Sequence, residues 1–328
     1  MKRYVVLLLS AFVISLSPAN AQEKFPAKPV KVITAYGPGS ATDIIIRILG
    51  EQLRQVLGQS VVVENKPGAF GIIAIEEMAR ARPDGYTLMI GNVSTNAITP
   101  VLFRAKFSID YEKDVVPLAR VAELPSFFVV TASPDFPPKT LAEFIAYAKQ
   151  HPGKVRYAHP GNGSFPHLDM EMFARKEGLD LVNIPVKAGP PAYVNDIVKG
   201  DVHAATINVA TAAAMVRAGQ MRALGVNSAQ RLPEYPDIPT MAELGHPELM
   251  TLLWAGLFAP AATPKETLET LHKAIVQALN SEQVRGAYAK QMIRPNPTLS
   301  LAEAKAWNAD EIAKWKKVTN EIKIELTE

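Results

Sequence analysis

The sequence predicts an α/β protein with two lobes, each built on a mostly parallel sheet that helices flank. From Val30 onward, short β-branched strand signals alternate with amphipathic helix signals, which is typical of βαβ units. The chain has 328 residues, enough for two domains of ordinary size. Each half also places one glycine-rich turn between a strand and a helix, and such turns lie at the ligand-facing edge of an open sheet.

The amino-terminal segment, Met1 to Ala21, predicts a secretory signal peptide. Lys2 and Arg3 precede an apolar run, Tyr4 to Leu16, that is too short to span a bilayer, and small residues supply a cleavage site at its end. We therefore expect a mature protein that begins at Gln22 and is exported to the periplasm.

Composition excludes several classes of site. The chain has no cysteine, so it has no lipobox, disulfide, zinc–thiolate site or thiol nucleophile. Without Lys2 and Arg3, the 35 basic residues fall to 33, against 32 acidic ones, and no basic cluster is interleaved with aromatic residues. This balance argues against a nucleic-acid partner.

The first glycine-rich turn is Tyr36 to Asp43, which follows a predicted strand at Val30 to Ala35. Gly39 permits a tight turn, and Ser40 with Asp43 three residues later forms a capping-box pattern. The N–H groups at such a helix start favour an anion by about 0.3–1 kcal/mol. The alternative is an ordinary βα turn that binds no ligand. A second glycine-rich turn of the same kind later in the chain favours the ligand site.

The rest of the first half completes a βαβαβ unit. We predict a helix that Gly58 ends, a buried strand at Val61 to Val63, a helix at Ile72 to Ala81 and a strand at Tyr86 to Ile90. Gly91 to Asn96 follows the last strand, so this segment should face the same crevice as the first turn.

Two crossings are predicted between the lobes, near Pro125 and near Asn227. We therefore assign residues 22–124 and 227–328 to the first lobe, residues 125–226 to the second, and the ligand cleft to the space between them. The second lobe has predicted strands at 126–131, 155–158, 181–186, 203–209 and 221–226, with helices between them. A strand at Leu249 to Phe258 and three helices return the chain to the first lobe.

The second glycine-rich turn is Gly161 to His167, which follows the predicted strand at 155–158. Ser164 is its predicted helix cap, and N–H groups should converge there as they do at the first turn. His167 lies one turn into the helix, where we expect a structural hydrogen bond rather than catalysis.

A series of short motifs runs in order along the chain. These motifs are Phe25-Pro26-Ala27-Lys28-Pro29-Val30, Gly37-Pro38-Gly39 with Asp43, Val62-Val63-Glu64-Asn65-Lys66-Pro67-Gly68, Pro83-Asp84-Gly85-Tyr86-Thr87-Leu88, Gly161-Asn162-Gly163-Ser164 with His167, Lys187 with Pro191-Ala192, and Gly256-Leu257-Phe258-Ala259-Pro260 with Thr263-Pro264. In this order and spacing the chain resembles the Bug family, the substrate-binding proteins of tripartite tricarboxylate transporters. The resemblance covers essentially the whole mature chain.

The resemblance implies a type II-like periplasmic binding protein that closes two lobes over a small organic carboxylate and delivers it to a membrane transporter. It also implies a monomer with no cofactor, no metal and no catalytic residues. The positions that it assigns to the ligand are, in the first lobe, Tyr36, Gly39, Ser40, Ala41, Ser94, Thr95 and Asn96, and, in the second, Asn162, Gly163, Ser164, Lys187, Ala188, Ile207 and Asn208.

Departures from the family pattern bear on the ligand. Ser40 stands where the family usually has a second glycine, Val186 where it has tyrosine, and Ile207 where many members have aspartate. Isoleucine cannot pair with an ammonium group, and a buried unpaired ammonium is strongly disfavoured. We therefore predict a dicarboxylate or an aromatic carboxylate without an ammonium group, whose apolar body contacts Phe165, Tyr36 and Ile207.

Other interpretations stay open for single residues and for the function. Thr95 and Asn96 are equally suited to capping a short helix, and Lys187 to a solvated loop. The histidines and serines form no metal, triad or phosphate-loop motif, so no enzyme is predicted. A ligand-sensing partner of a periplasmic sensor domain is the first alternative, and an exported hydrolase or isomerase the second.

Overall fold

The computed structural model describes residues 25–186, 190–249 and 251–322, in which ten strands form two five-stranded sheets. Each sheet forms one lobe with its helices, which confirms the predicted two-lobed α/β fold. The predicted signal peptide, Lys187 and Ala188 lie outside the described residues.

The first lobe contains both ends of the described chain. Its strands are β1 Val30–Thr34, β2 Val61–Asn65, β3 Thr87–Asn92, β4 Val115–Leu124 and β10 Leu253–Pro260. Its helices are α1 Ala41–Leu57, α2 Ile72–Ala79, α3 Thr99–Leu102, α4 Tyr111–Asp114, α9 Lys265–Leu279, α10 Glu282–Lys290 and α11 Leu301–Ile322. The strand order is β2-β1-β3-β10-β4, and β10 is antiparallel to both of its neighbours.

The second lobe is formed by the middle of the chain. Its strands are β5 Ser126–Thr131, β6 Val155–His159, β7 Leu181–Pro185, β8 Ala204–Asn208 and β9 Met221–Asn227. Its helices are α5 Leu141–Gln150, α6 Phe165–Glu177, α7 Pro190–Lys199 and α8 Val209–Arg217. The strand order is β7-β6-β8-β5-β9, and β5 is antiparallel to both of its neighbours.

The two sheets share one topology, in which three parallel strands are followed by one antiparallel strand and an outer parallel strand. The antiparallel strand is in each case the first one after the chain changes sheet: Pro125 alone separates β4 from β5, and β10 follows β9. We call the edge where β1 and β3 end the first carboxyl edge. The second carboxyl edge is where β6 and β8 end and the antiparallel β5 begins.

Two predicted strands differ from the structure. The apolar run Val61 to Val63 predicts a buried strand, but β2 lies at the edge of its sheet and leaves Val62 51% exposed. An apolar run alone does not distinguish an edge strand from a central one. The strand predicted from Leu249 begins only at Leu253, because Pro247–Leu249 forms a 3₁₀ turn before it.

The hydrophobic cores show where the lobes meet. The core of the first lobe includes Trp315 of α11, which is fully buried. Phe165 and Leu168, at the start of α6, pack into this same cluster, although α6 follows a strand of the second sheet. The second lobe has two further clusters of its own. The start of α6 therefore joins the two lobes.

Within the described ranges, no helix combines the length and the apolar character needed to cross a membrane.

Candidate functional site

The turn that opens α1 is built by Ser40 and Asp43. Ser40 is the N-cap, and its Oγ accepts a hydrogen bond from the Asp43 N–H at 3.4 Å, as the capping-box pattern predicts. The Asp43 carboxylate reaches back to the Gly39 N–H at 2.9 Å, because the Ser40 N–H donates to the Gly37 carbonyl at 3.3 Å. The Gly39 N–H, which we predict to face the ligand, is therefore already bonded within the turn.

Asp43 ties this turn to the rest of the first lobe. Its Oδ2 accepts from Arg47 Nε at 2.9 Å, and its Oδ1 accepts from Asn65 Nδ2 at 2.9 Å. Burial acts to raise the pKa of Asp43, but the bonds from Arg47, Asn65 and Gly39 outweigh it and hold the pKa below its usual value. This fixed carboxylate positions Ser40 and Ala41, the first residue of α1, at the first carboxyl edge.

Tyr36 and Ser94 meet at the same edge. The Tyr36 hydroxyl donates to Asn92 Oδ1 at 3.1 Å, and burial raises the pKa of Tyr36 to about 12 although Asn92 and Ser94 act in the opposite direction. Ser94 Oγ in turn accepts a hydrogen bond from the Phe165 N–H at 3.2 Å. This bond, which we call the interlobe contact, joins the first carboxyl edge to the start of α6.

Thr95 and Asn96 face away from this contact. Thr95 Oγ1 lies 2.6 Å from Asn96 Oδ1, and Asn96 Nδ2 donates to the Tyr111 hydroxyl at 3.1 Å, so both side chains are held inside the first lobe. A Cβ on Gly91 would lie 1.6 Å from Asn96 Oδ1, which shows how closely the backbone packs here. Thr95 Oγ1 also accepts the Asn92 N–H at 3.0 Å, and Asn92 Oδ1 accepts the Thr95 N–H at 3.2 Å, so Thr95 takes part in capping the helical segment that follows β3. The ligand role of Thr95 and Asn96 stays a prediction.

Ser164 is the N-cap of α6 by backbone geometry, but its hydroxyl makes no capping bond. An N-cap side chain bonds the N–H of the second or third helical residue, and Pro166 removes the first of these donors. Among the described residues, the buried Ser164 Oγ has no hydrogen-bond partner. Ser164 therefore occupies the predicted cap position, but its hydroxyl does not make the capping bond.

Two neutral histidines support the second glycine-rich turn. His159 Nδ1 accepts the Gly161 N–H at 3.1 Å, and His167 Nδ1 accepts the Gly163 N–H at 3.1 Å. Asn183 Oδ1 accepts from His159 Nε2, and Asn183 Nδ2 lies 2.9 Å from His167 Nε2. Burial lowers the pKa of His159, and burial together with the neighbouring His159 ring lowers the pKa of His167 to about 3. The structural role predicted for His167 is what the structure shows.

Asn162 and Gly163 complete this turn. Asn162 Oδ1 lies 3.5 Å from Asn183 Nδ2, so its side chain reaches the histidine support. Gly163 has φ +79°, and a Cβ there would lie 3.1 Å from Leu102 Cδ1 and 3.4 Å from Phe103 Cε2. The turn is therefore pressed against the first lobe.

Three other predicted contacts have different roles in the structure. The Phe165 side chain packs into the core of the first lobe, and only its N–H reaches the interlobe contact. Ile207 is 1% exposed in the core of the second lobe, opposite Phe127. Asn208 Oδ1 accepts from the Thr211 N–H at 3.0 Å and so caps α8. Phe165 and Ile207 are therefore not exposed walls of a ligand pocket.

Two polar groups near this region carry no sequence signal. Ser126, the first residue of β5, pairs with Asn208 at the second carboxyl edge, and its buried hydroxyl has no partner among the described residues. Asp169 on α6 is 2% exposed, and neither of its oxygens has a hydrogen-bond partner there either. Burial raises the pKa of Asp169 to about 7, although Lys314 and Thr251 act in the opposite direction.

The arrangement suits an anion held by neutral donors. It brings Tyr36 and Ser94 of the first lobe close to Ser164 and the Phe165 N–H of the second. The two turns open α1 and α6, and the dipole at the amino-terminal end of each helix favours negative charge. In the ranges that the structure describes, no three histidine, aspartate, glutamate or cysteine side chains gather as metal ligands would.

Comparison with known proteins places this site in context. Residues 45–324 match the family model described as the tripartite tricarboxylate transporter family receptor. The chain is 35% identical over 307 residues to protein BugT of Bordetella pertussis, an alignment that covers 93% of this chain and 92% of BugT.

Two solved structures share the fold over nearly their whole length. MatC of Rhodopseudomonas palustris with bound malate is 30% identical, with a TM-score of 0.79 and coverage of 90% of this chain and 99% of MatC. An R. palustris protein solved with adipate is 29% identical, with a TM-score of 0.82 and coverage of 92% and 99%. On the family match and the relatives together, the chain belongs to the tripartite tricarboxylate transporter receptor family, the periplasmic solute-binding proteins that include the Bug proteins.

Proposed function

We propose that this chain captures a small organic carboxylate between its two lobes in the periplasm and delivers it to a tripartite tricarboxylate-type transporter as a monomer, without catalysis. The signal peptide Met1 to Ala21 is removed on export. The observation that carries the proposal is the interlobe contact between Ser94 Oγ and the Phe165 N–H at 3.2 Å, because it brings polar groups of both lobes within reach of one ligand.

Ligand exchange in this proposal needs the lobes to separate. The moving units are residues 22–124 with 227–328, and residues 125–226. Only Pro125 joins β4 to β5, so a small change of backbone angles there turns one sheet relative to the other. Opening breaks the interlobe contact and frees Ser94 and the Phe165 N–H for an incoming carboxylate.

The ligand class follows from the groups in the two turns. Asp43 is the one acidic residue in the segments Tyr36–Asp43 and Gly161–His167, and Gly39, Arg47 and Asn65 already occupy its oxygens. An ammonium group would find no free carboxylate there, and its burial without a counter-charge would be costly. We therefore propose a dicarboxylate or an aromatic carboxylate. The malate and adipate bound to two relatives of this fold support the carboxylate part of the proposal.

Thermal melting with malate, adipate, benzoate and glutamate tests the proposal. A ligand that binds only the folded state at a hundredfold excess over Kd adds about 2.7 kcal/mol, which raises Tm by about 5 °C or more. We expect such a shift with at least one acid that lacks an ammonium group and none with glutamate. No shift with any acid, or a shift with glutamate alone, would contradict the proposal.

Ser164→Ala locates the site in the same experiment. The Ser164 hydroxyl has no protein partner, so its removal should not lower Tm without ligand. We expect it to weaken binding about tenfold, as the loss of one hydrogen bond does. Thr263→Val is the matched control, because Thr263 Oγ1 is also buried without a partner but follows β10 at the opposite edge of its sheet. If Ser164→Ala bound the acid as tightly as Thr263→Val does, the ligand would not contact Ser164.

A further inference from the structure

Phe70 has an unusual backbone for an aromatic residue. Ala69 and Phe70 both have positive φ, +44° and +55°, in the 3₁₀ turn between β2 and α2. A bulky side chain at positive φ is strained and persists only where the surroundings hold it. Here the Phe70 carbonyl accepts a hydrogen bond from Thr99 Oγ1 at 2.9 Å. The strain does not serve burial, since Phe70 remains 46% exposed.

A second aromatic ring fixes the orientation of Phe70. Phe70 and Phe103 stack with ring centroids 4.4 Å apart and an angle of 14° between their planes. Phe103 is 5% exposed, so it forms the buried base of the pair and Phe70 the outer surface. We call Phe70 and Phe103 the aromatic pair.

The aromatic pair stands beside the candidate site. A Cβ on Gly71 would lie 2.7 Å from Thr95 Cγ2 and 3.4 Å from Ala35 Cβ, which places this turn at the first carboxyl edge. A Cβ on Gly161 would lie 4.0 Å from Phe70 Cε1, so the Phe70 ring faces the second glycine-rich turn. The ring therefore stands at the junction of the two lobes with an accessible apolar surface.

We propose that Phe70 is a specificity-determining residue that selects carboxylates with an aromatic body. The inference rests on the proposed function, because it takes the carboxylate to be held by the hydroxyl and N–H groups of the two turns. A flat ring extending from that carboxylate meets Phe70 in an offset or edge-to-face contact, backed by Phe103. Malate offers no apolar body to this surface. Phe70 thus supplies the apolar contact that the sequence pattern assigns to Phe165 and Ile207.

Calorimetric titration of the mature protein and its Phe70→Gly variant with benzoate, phenylacetate and malate tests this inference. Glycine tolerates positive φ, and this relief of strain offsets part of the lost stacking on Phe103, so the variant should still fold. We expect wild-type protein to bind an aromatic acid about tenfold more tightly than malate. In Phe70→Gly, aromatic binding should weaken about tenfold, while malate binding changes less than about threefold.

Two further variants define the contact. Phe70→Leu keeps an apolar side chain without the ring, so its preference for aromatic acids should be intermediate. Ile73→Ala is the control, because Ile73 is 51% exposed on the adjoining α2 and should not alter the preference.

The outcomes separate this inference from the proposed function. If Phe70→Gly weakens the binding of every acid equally, the Phe70 ring only helps to close the lobes and the inference is wrong. Wild-type preference for malate, or an unchanged preference in the variant, also overturns it and leaves the proposed function intact. Failure of wild-type protein to bind any acid would overturn both.

Discussion

Replacing Asp43 with alanine should lower the free energy of unfolding by about 3 kcal/mol and weaken carboxylate binding about tenfold. The Asp43 side chain is buried and accepts hydrogen bonds from Gly39, Arg47 and Asn65. Alanine would leave the Gly39 N–H without its acceptor, remove one acceptor each from Arg47 and Asn65, and release the turn that holds Ser40. Chemical denaturation measures the first effect and calorimetric titration the second.

A matched control comes from the same helix. Glu51 pairs with Arg54 at 2.7 Å on the exposed surface of α1. Solvent screens such an exposed pair, so Glu51→Ala should change stability little and binding not at all. Asp43→Asn should have an intermediate free energy of unfolding, because its one amide oxygen can still accept hydrogen bonds from some of these donors. If Asp43→Ala were as stable as Glu51→Ala, the buried carboxylate would not hold the turn.

Replacing Asp169 with asparagine should stabilise the protein at about pH 8 and change little at about pH 4. Burial raises the pKa of Asp169 to about 7 in the folded protein, above its ordinary value of 3.8. The folded state therefore binds this proton more tightly than the unfolded state, and stability is lost as pH rises from about 4 to about 7. Asparagine does not ionise, so it avoids that loss, which amounts to about 4 kcal/mol.

Melting curves of both proteins across this pH range measure the effect. Both proteins keep His159, His167 and the other titrating groups, so the difference between their Tm values isolates Asp169. Asp180→Asn, at an exposed aspartate after α6, is the matched surface control. A constant difference between Asp169→Asn and wild-type protein at every pH would show that Asp169 does not titrate with folding.

Local sequence signals predict most of the fold. The alternation of strand and helix signals predicts both lobes, and glycine with helix caps predicts the bounds of α1, which Ser40 opens and Gly58 closes. The edge position of β2 carries no such signal, because it depends on which strands pair across the chain. The late start of β10 follows from the 3₁₀ turn at Pro247–Leu249, which an apolar run does not reveal.

The candidate site is only partly readable from sequence. Tyr36, Ser40 and Ser94 lie at the first carboxyl edge as strand order predicts, since ligands bind where parallel strands end. The direction of a side chain cannot be predicted in this way. Thr95 and Ile207 point into the interiors of the two lobes, and no local sequence pattern indicates this. Phe70 and Asp169 also carry no signal, because backbone strain and an unpaired buried carboxyl appear only in three dimensions.

The distance between the two lobes, measured with and without ligand, tests the central claim most directly. The chain has no cysteine, so Glu51→Cys with Asn195→Cys places one spin label on the exposed surface of each lobe. We predict that an acid that raises Tm also shortens this distance and narrows its distribution toward the value in the structure. A distance that does not change under such an acid would contradict closure of the lobes over a carboxylate.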